Sequence, residues 1–310
     1  MPLRSPLALL AAAAGLSACA AGSGDVRPTM SVPAAYKEAG DWKPAEPRAA
    51  VSGLAWWQAY GDPVLDGLES DAARANQNIR QAEAAYRQAK AIADADRAGL
   101  FPSLGLNLGA QRARTDTPVV RVGNAFSAGL AASWEPDLWG SVRRQVEAGE
   151  ASAQASADDL AAARLSLQTT LAQDYLQLRI ADQQRELYAN TVDAYARALK
   201  LAQAQHDAGV ALQSDVSLAE SQLAQAQAAA IDLEATRAQL EHAIAVLTGR
   251  APAQFALAAA PANQPIALRQ PPTPAGLPSA LLEHRPDIAA AERRAAAANA
   301  SIGVARAAWF

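Results

Sequence analysis

Hydrophobic residues in the second half of the chain recur with the period of a helix, most regularly between residues 216 and 247. The steps are three and four, and Arg237 is the one charged residue in the series. The positions are Val216, Ala219, Leu223, Ala226, Ala230, Leu233, Arg237, Leu240, Ile244 and Leu247. A second seam of this kind runs from Tyr188 to Ala202. Such seams are typical of a coiled coil. We therefore predict a long helix over about residues 141–207 and a second over about residues 214–248, packed as a hairpin.

Another helix and a strand pair are predicted earlier in the chain. Strong helix formers run without Pro or Gly from Asp71 to Ala98, which predicts one uninterrupted helix. Gly99 and Pro102 end it, and apolar residues then alternate with small or polar ones in "PSLGLNLGAQ" and "NAFSAGLAASW". Alternation over about ten residues fits transmembrane β-strands. A soluble hairpin with its apolar face on a core fits it equally well. We predict strands over about residues 102–116 and 123–135.

The N-terminus indicates export and lipidation. Arg4 precedes the apolar run "PLALLAAAAGL", which is too short to span a bilayer as a helix, and the run leads into "LSAC". This order is similar to a bacterial lipobox, in which the cysteine is lipidated. We predict a lipoprotein signal peptide over residues 1–18, a lipid anchor at Cys19 and a proline-rich extended linker over residues 19–55. An ordinary secretory signal is the alternative. Because Ala20 follows the cysteine, the outer membrane is the expected destination.

Composition and charge narrow the class of protein. The 310 residues are 51% hydrophobic but only 5% aromatic, which favours closely packed long helices over a thick globular core. A net charge of -4 with scattered basic residues gives no reason to expect nucleic acid as a partner. His206, His242 and His284 have no partners at the spacing of metal ligands. We interpret them as solvated or packing histidines, and we expect no metal site, no cofactor and no enzymatic activity.

The end of the chain repeats an earlier stretch. When the end of the chain is aligned with the stretch 209 residues before it, four pairs of identical residues carry the match without a gap. The pairs are Ile79 with Ile288, Glu83 with Glu292, Arg97 with Arg306 and Phe101 with Phe310. We therefore predict a tandem repeat, with a first copy over residues 56–250, a Pro/Ala-rich connector over residues 251–274 and the start of a second, incomplete copy over residues 275–310. On this interpretation the sequence is truncated, and a proline and a second strand pair would follow Phe310.

Seven stretches carry a resemblance to a known family: "WWQAYGDPVLDGL", "LFPSLGLN", "SWEPDLWGSVRRQVEA", "AGVALQSDV", "AVLTGR", "GLPSALLEHRPDIAAAE" and "ANASIGVARAAWF". They resemble the outer-membrane efflux protein family (TolC-like), and within it the NodT-type lipoproteins of resistance-nodulation-division pumps. The resemblance implies a mainly α fold with a membrane β-hairpin. It also implies a homotrimer with one shared 12-stranded transmembrane β-barrel in outer-membrane lipid, continued by long helices as a periplasmic α-barrel.

The resemblance further implies a passive exit duct in the outer membrane of a Gram-negative bacterium. It would dock to a periplasmic adaptor (membrane fusion) protein and an inner-membrane resistance-nodulation-division pump. In the family, the corresponding turn docks to the adaptor, so the resemblance implies that the turn between the two long helices is the adaptor-docking tip. The candidate contacts are Gly209, Val210, Ala211, Ser214 and Asp215. Gly209 also suits the C-cap of the first helix and Ser214 the N-cap of the next.

Two tryptophans mark the place where the second strand gives way to the long helix. Trp134 and Trp139 flank Pro136 there. Amphipathic rings are enriched where a bilayer meets water. We therefore interpret both as membrane-interface aromatics on the periplasmic side, with plain packing as the alternative.

A periplasmic coiled-coil structural or adaptor lipoprotein is the rival function. Adaptors flank their helical hairpins with compact β-rich domains, whereas this chain has an alternating, membrane-like strand pair. The strand pair therefore favours a channel subunit. Two strands per subunit would give a trimer only six, fewer than the smallest natural membrane barrels have. We therefore expect these 310 residues alone not to form a conducting pore.

Overall fold

The computed structural model of the protein describes residues 55–115, 121–259 and 284–309. The helices are α1 (Pro63–Ala75), α2 (Gln77–Ala98), α3 (Ser141–Asp207), α4 (Gln213–Leu247) and α5 (Pro286–Ala307), and the strands are β1 (Ser103–Thr115) and β2 (Arg121–Ser133). Short 3-10 helices lie at Trp56–Tyr60 and Pro252–Gln254. The signal peptide, Cys19, the linker up to residue 54, most of the connector and Phe310 lie outside the described residues.

Contacts divide the described residues into two compact units. The strand-bearing unit contains the hairpin, most of α2, the first part of α3 and all of α5. The tip-bearing unit contains α1, the first residues of α2, the rest of α3 and all of α4. Across the parts of the chain that the structure describes, no helix combines the length and the apolar character that a membrane span requires.

The strand-bearing unit brings two helices against the first turns of α3, at positions where side chains are small. A Cβ atom added to Gly149 of α3 would lie 3.2 Å from the Cα atom of Ala93 in α2. On α5, a Cβ atom added to Gly303 would lie 3.0 Å from the side chain of Arg144 in α3. Small residues therefore allow these helices to approach α3 closely.

The prediction of one helix from Asp71 to Ala98 was wrong, because Asn76 breaks it. Asn76 has an extended backbone (φ -66°, ψ 128°). Its side-chain oxygen accepts hydrogen bonds from the backbone of Asn78 (2.9 Å) and Ile79 (3.2 Å), and its side-chain nitrogen donates to the carbonyl of Leu247 (2.9 Å). An asparagine side chain can replace backbone partners in this way. Asn76 thus starts α2 and ties it to the end of α4.

The predicted seam of α4 is confirmed. Every seam position from Val216 to Leu247 is buried or half-buried, whereas apolar residues elsewhere on the helix, such as Leu218 and Ile231, are exposed. The weaker seam of α3 from Tyr188 to Ala202 is half-buried throughout. The hydrophobic period therefore identified the sides of α3 and α4 that are covered.

The charged residue of this seam, Arg237, has a buried counterion on α3. Its Nε donates to Asp182 at 2.6 Å, and the Asp182 side chain is only 2% exposed. Arg179, one turn before Asp182 on α3, contacts the other carboxylate oxygen at 3.4 Å. One buried carboxylate therefore lies between two arginines from different helices.

The same arginines hold the chain that follows α4. Arg237 donates to the carbonyl of Leu257 at 2.8 Å, and Arg179 donates to the carbonyl of Ala258 at 2.9 Å. The backbone N–H of Leu257 donates to Glu241 at 2.5 Å. The side chains of the two helices thus bind the segment at Leu257 and Ala258 through its backbone groups.

We predict that Asp182→Asn destabilises the protein by about 3 kcal/mol. Removal of one partner from a buried ion pair costs about 3–5 kcal/mol, and Glu241, which lies 3.3 Å from Arg237, keeps the loss at the lower end. The control is Glu234→Gln, which breaks an exposed pair with Arg185 (3.5 Å) and should cost about 0–1 kcal/mol. Chemical denaturation of both variants measures this difference. Equal losses would contradict the special role of Asp182.

Glu69 of α1 is a buried carboxyl group. It is 2% exposed, and the buried apolar residues of the same helix are Leu65, Leu68 and Ala72. Neither of its oxygens has a hydrogen-bond partner among the residues that the structure describes. Burial raises its pKa from 4.5 to about 8, so the group is uncharged in the folded protein at neutral pH.

We predict that Glu69→Gln removes a pH-dependent loss of stability. The unfolded chain releases the Glu69 proton near pH 4.5, whereas the folded chain keeps it up to about pH 8. Folding stability therefore falls as the pH rises through this window. The melting temperature of the variant should exceed that of the wild type at pH 8 and approach it at pH 4.5. Thermal unfolding by circular dichroism tests this, and a constant difference at all pH values would count against it.

Candidate functional site: the hairpin, its junction and the helical tip

The hairpin of the strand-bearing unit has one strongly apolar face. Its antiparallel register places Leu106 opposite Leu130 and Ala110 opposite Phe126. Because partners in a register share a face, the large apolar side chains gather on one side. Leu104, Leu106, Leu108, Leu130 and Phe126 are between 68% and 81% exposed. The apolar face therefore does not rest on a core in this unit, which argues against a soluble hairpin.

The opposite face of the hairpin is small and polar. Ser103 and Ser133 are opposite each other, with their hydroxyl oxygens 2.7 Å apart, and Asn107 lies opposite Gly129. The two faces differ over residues 103–110 and 126–133, whereas Arg112, Arg114 and Asn124 continue the apolar face towards the loop. This is the pattern expected of a strand pair between lipid and a polar interior.

Asp137 forms the junction between β2 and α3. Its carboxylate accepts hydrogen bonds from the backbone N–H groups of Val142 (3.1 Å) and Arg143 (2.9 Å) and from the Arg143 guanidinium (3.2 Å). Burial alone would raise the pKa of Asp137, but these hydrogen bonds outweigh it and lower the pKa. The turn itself needs Gly140, whose φ is +79°. The carboxylate thus caps the longest helix where the strand ends.

The two tryptophans near this junction differ in environment. Trp134 is exposed, and its Nε1 donates to the carbonyl of Leu100 at 3.3 Å. Trp139 is half-buried. Exposed Phe101 and Leu138 are also in this region. The junction therefore presents a group of apolar and aromatic side chains, to which Trp134 contributes more than Trp139.

In the tip-bearing unit, α3 ends in a Schellman motif. Gly209 has a left-handed φ of +73°. Its N–H donates to the carbonyl of His206 at 2.8 Å, and the N–H of Val210 donates to the carbonyl of Gln205 at 2.9 Å. These bonds satisfy the last carbonyls of the helix. The prediction that Gly209 ends the helix is confirmed.

The predicted N-cap of α4 was wrong. The cap position is Leu212, and Ser214 lies inside the first turn of the helix. The carboxylate of Asp215 reaches back and accepts the N–H of Leu212 at 3.1 Å. The N–H of Asp215, which a serine cap could bind, donates instead to the carbonyl of Leu212 at 3.0 Å. The Ser214 side chain is exposed.

Sequence reasoning missed two residues of the tip. His206 was interpreted as solvated or packing, but its Nδ1 lies 3.1 Å from the carbonyl of Ala211. Leu212 was not among the candidates, yet it is 71% exposed, beside Val210 at 79%. The available signal for Leu212 was its place at the end of the apolar run Val210-Ala211-Leu212, between two helices. His242 and His284 are exposed, and the described ranges hold no group of three or more possible metal ligands.

Comparisons with known proteins point to one family. The family model described as outer membrane efflux protein matches residues 68–250. The chain is 36% identical over 268 residues to the pyoverdine export outer membrane protein OpmQ of Pseudomonas aeruginosa, covering 82% of this chain and 55% of OpmQ. It is 31% identical over 279 residues to the toluene efflux pump outer membrane protein TtgF of Pseudomonas putida, covering 88% of this chain and 57% of TtgF.

A solved structure shows the same fold. The outer-membrane channel OprN matches with a TM-score of 0.75 at 31% identity, covering 94% of this chain and 65% of OprN. The predicted fold class, mainly helical with an antiparallel two-strand hairpin as in TolC-like channels, is confirmed. Efflux channels are not enzymes, which agrees with the expected lack of enzymatic activity. The chain spans between about half and two thirds of the length of these relatives.

Proposed function

The chain belongs to the outer membrane efflux protein family, and from this we propose that it is a channel subunit of a tripartite efflux system. It acts as a passive exit duct for solutes. Three copies form the duct, which docks to a periplasmic adaptor protein and an inner-membrane resistance-nodulation-division pump. The names of OpmQ and TtgF refer to pyoverdine export and toluene efflux. For this chain we propose small organic solutes, delivered by the pump.

The uncovered apolar face of the hairpin carries this proposal. Exposed leucine and phenylalanine side chains along two strands lose unfavourable contact with water only when another apolar phase covers them. Acyl chains of the outer membrane supply such a phase on one face, and the serine, asparagine and glycine residues of the other face suit a polar interior. We propose that Trp134 and Trp139 lie where this hairpin leaves the bilayer and that Cys19 carries the lipid anchor.

We predict that arginine is tolerated on one face of the hairpin and not on the other. Leu106→Arg places a charge on the lipid side, where it costs about 2–4 kcal/mol at the bilayer midplane. Asn107→Arg, the matched control, places the same charge one residue later on the opposite face. Outer-membrane levels of the full-length protein should fall for Leu106→Arg only. Equal levels for both variants would argue against insertion of this hairpin.

The packing of α2 and α5 supports assembly of several copies. These helices are the corresponding elements of the predicted repeat, yet they turn different faces to α3. Ala93 of α2 is buried near Gly149, and its counterpart in α5, Ile302, is 51% exposed. The face that α2 buries is therefore open on α5.

The converse holds for the other face. Ala300 and Ala307 are buried on α5, and their counterparts on α2, Ala91 and Ala98, are exposed. Each helix thus has two faces of mostly small residues, and each copy of the repeat leaves a different one open. Helices of a neighbouring subunit that cover these open faces would extend the same packing around a ring. We propose that this ring is the homotrimer.

The tip supports docking to the adaptor. In a Schellman motif, an apolar residue after the glycine commonly packs back on the last turn of the helix. Here the residue at the packing position of the last turn is Gln205, which is polar, and the Val210 side chain is exposed to solvent. The backbone hydrogen bonds of the motif end the helix, and the side chains of Val210 and Leu212 take no part in this. We propose that both contact the adaptor, together with Gly209, Ala211, Ser214 and Asp215.

We predict that Gly209→Trp abolishes efflux without lowering surface levels. A Cβ atom at this position meets nothing within 4 Å, so the indole would project from the tip into the docking surface. The control is Gly209→Asn, because asparagine tolerates a left-handed backbone and adds little bulk. Drug susceptibility of cells that carry the full-length variants is the measurement. Resistance at the wild-type level with Gly209→Trp would overturn the docking assignment.

A further inference from the structure

We propose that His206 and Asp215 are positioning residues that clamp one peptide group of the tip from both sides. The group joins Ala211 to Leu212. Held in place, it presents Val210 and Leu212 to the partner in a single arrangement. The inference rests on the proposed docking function and adds the means by which the free tip is pre-organised.

The clamp consists of two hydrogen bonds to the two ends of the same peptide group. The carbonyl of Ala211 lies 3.1 Å from Nδ1 of His206, in the last turn of α3. The N–H of that group belongs to Leu212 and donates to the Asp215 carboxylate, in the first turn of α4, at 3.1 Å. A carbonyl oxygen can only accept. Nδ1 of His206 therefore carries the proton and donates.

Backbone hydrogen bonds hold the turn on both sides of this peptide group, and the peptide group itself has no backbone partner of this kind among the described residues. The N–H groups of Val210 and Ala211 both donate to the carbonyl of Gln205, at 2.9 Å and 3.2 Å, so the chain is fixed up to Ala211. From Leu212 onward α4 fixes the chain, with the N–H of Asp215 donating to the carbonyl of Leu212 at 3.0 Å. Independent rotation about the two backbone bonds beside this peptide group would change where Leu212 lies relative to Val210.

Pre-organisation matters here because the exposed pair is apolar and lies in a turn. A turn that samples several arrangements must be ordered when it binds, which lowers affinity. The clamp performs this ordering during folding. One side chain from each helix is required, so the loss of either one frees the peptide group.

The test uses the full-length protein and the purified periplasmic adaptor of the efflux system in which it restores drug resistance. His206→Leu removes the donor, and His206→Asn restores one at the position equivalent to Nδ1. Hydrogen exchange of the Leu212 amide should be roughly tenfold faster in His206→Leu and close to wild type in His206→Asn. The amide itself is bonded to Asp215, so this response reports on the shared peptide group.

Adaptor affinity provides the second readout. His206→Leu and Asp215→Ala should each weaken binding about fivefold to tenfold, the value of one hydrogen bond. The double variant should bind no more weakly than Asp215→Ala alone, because His206 acts only through the peptide group that Asp215 also holds. Unchanged exchange at the core residue Ile244 shows that the fold is intact in each variant. Additive losses, or wild-type exchange of the Leu212 amide in His206→Leu, would overturn the proposal.

Gly209→Trp in the same binding assay separates this inference from the docking assignment. If Gly209→Trp blocks binding and His206→Leu retains wild-type exchange and affinity, docking stands and the clamp is wrong. If Gly209→Trp binds the adaptor normally, the docking assignment fails. The exchange rate of Leu212 then still decides whether the clamp exists.

Discussion

The long helix α3 needs neighbours along its whole length, and much of the structure follows from how they are supplied. An isolated helix gains little from its own hydrogen bonds, so its stability comes from packing. The 67 residues of α3 obtain that packing in two ways. Gly149 allows α2 to approach the first turns of α3, and Gly303 allows α5 to do so. In the tip-bearing unit, a heptad seam pairs α3 with α4.

The seam contains a charge, and that charge has a structural role. An arginine at a packed position is unfavourable unless a carboxylate and further acceptors surround it. Asp182, Glu241 and a backbone carbonyl surround Arg237 in this way. Because these partners exist in only one alignment of α3 with α4, the ion pair favours that alignment over others that a purely apolar seam would permit. Apolar contacts supply stability, and the buried charges select the register.

Sequence periodicity identified much of the architecture, but not its details. The alternation in the two strands and the heptads of α4 depend on local spacing, which the sequence displays directly. The break at Asn76 depends on a side chain that replaces backbone partners and reaches Leu247, far away in the chain. The role of His206 depends on a carbonyl across a turn. Such features arise when distant or folded-back segments meet, so spacing along the chain does not reveal them.

The binding of Leu257 and Ala258 through their backbones has a consequence for evolution. Arg179, Arg237 and Glu241 contact peptide groups there, and every residue type offers the same carbonyl. Mutations in this part of the connector can therefore accumulate with little effect on its attachment, with proline at 257 as an exception because it lacks the N–H. The segment can drift in sequence as long as the three residues that hold it are retained.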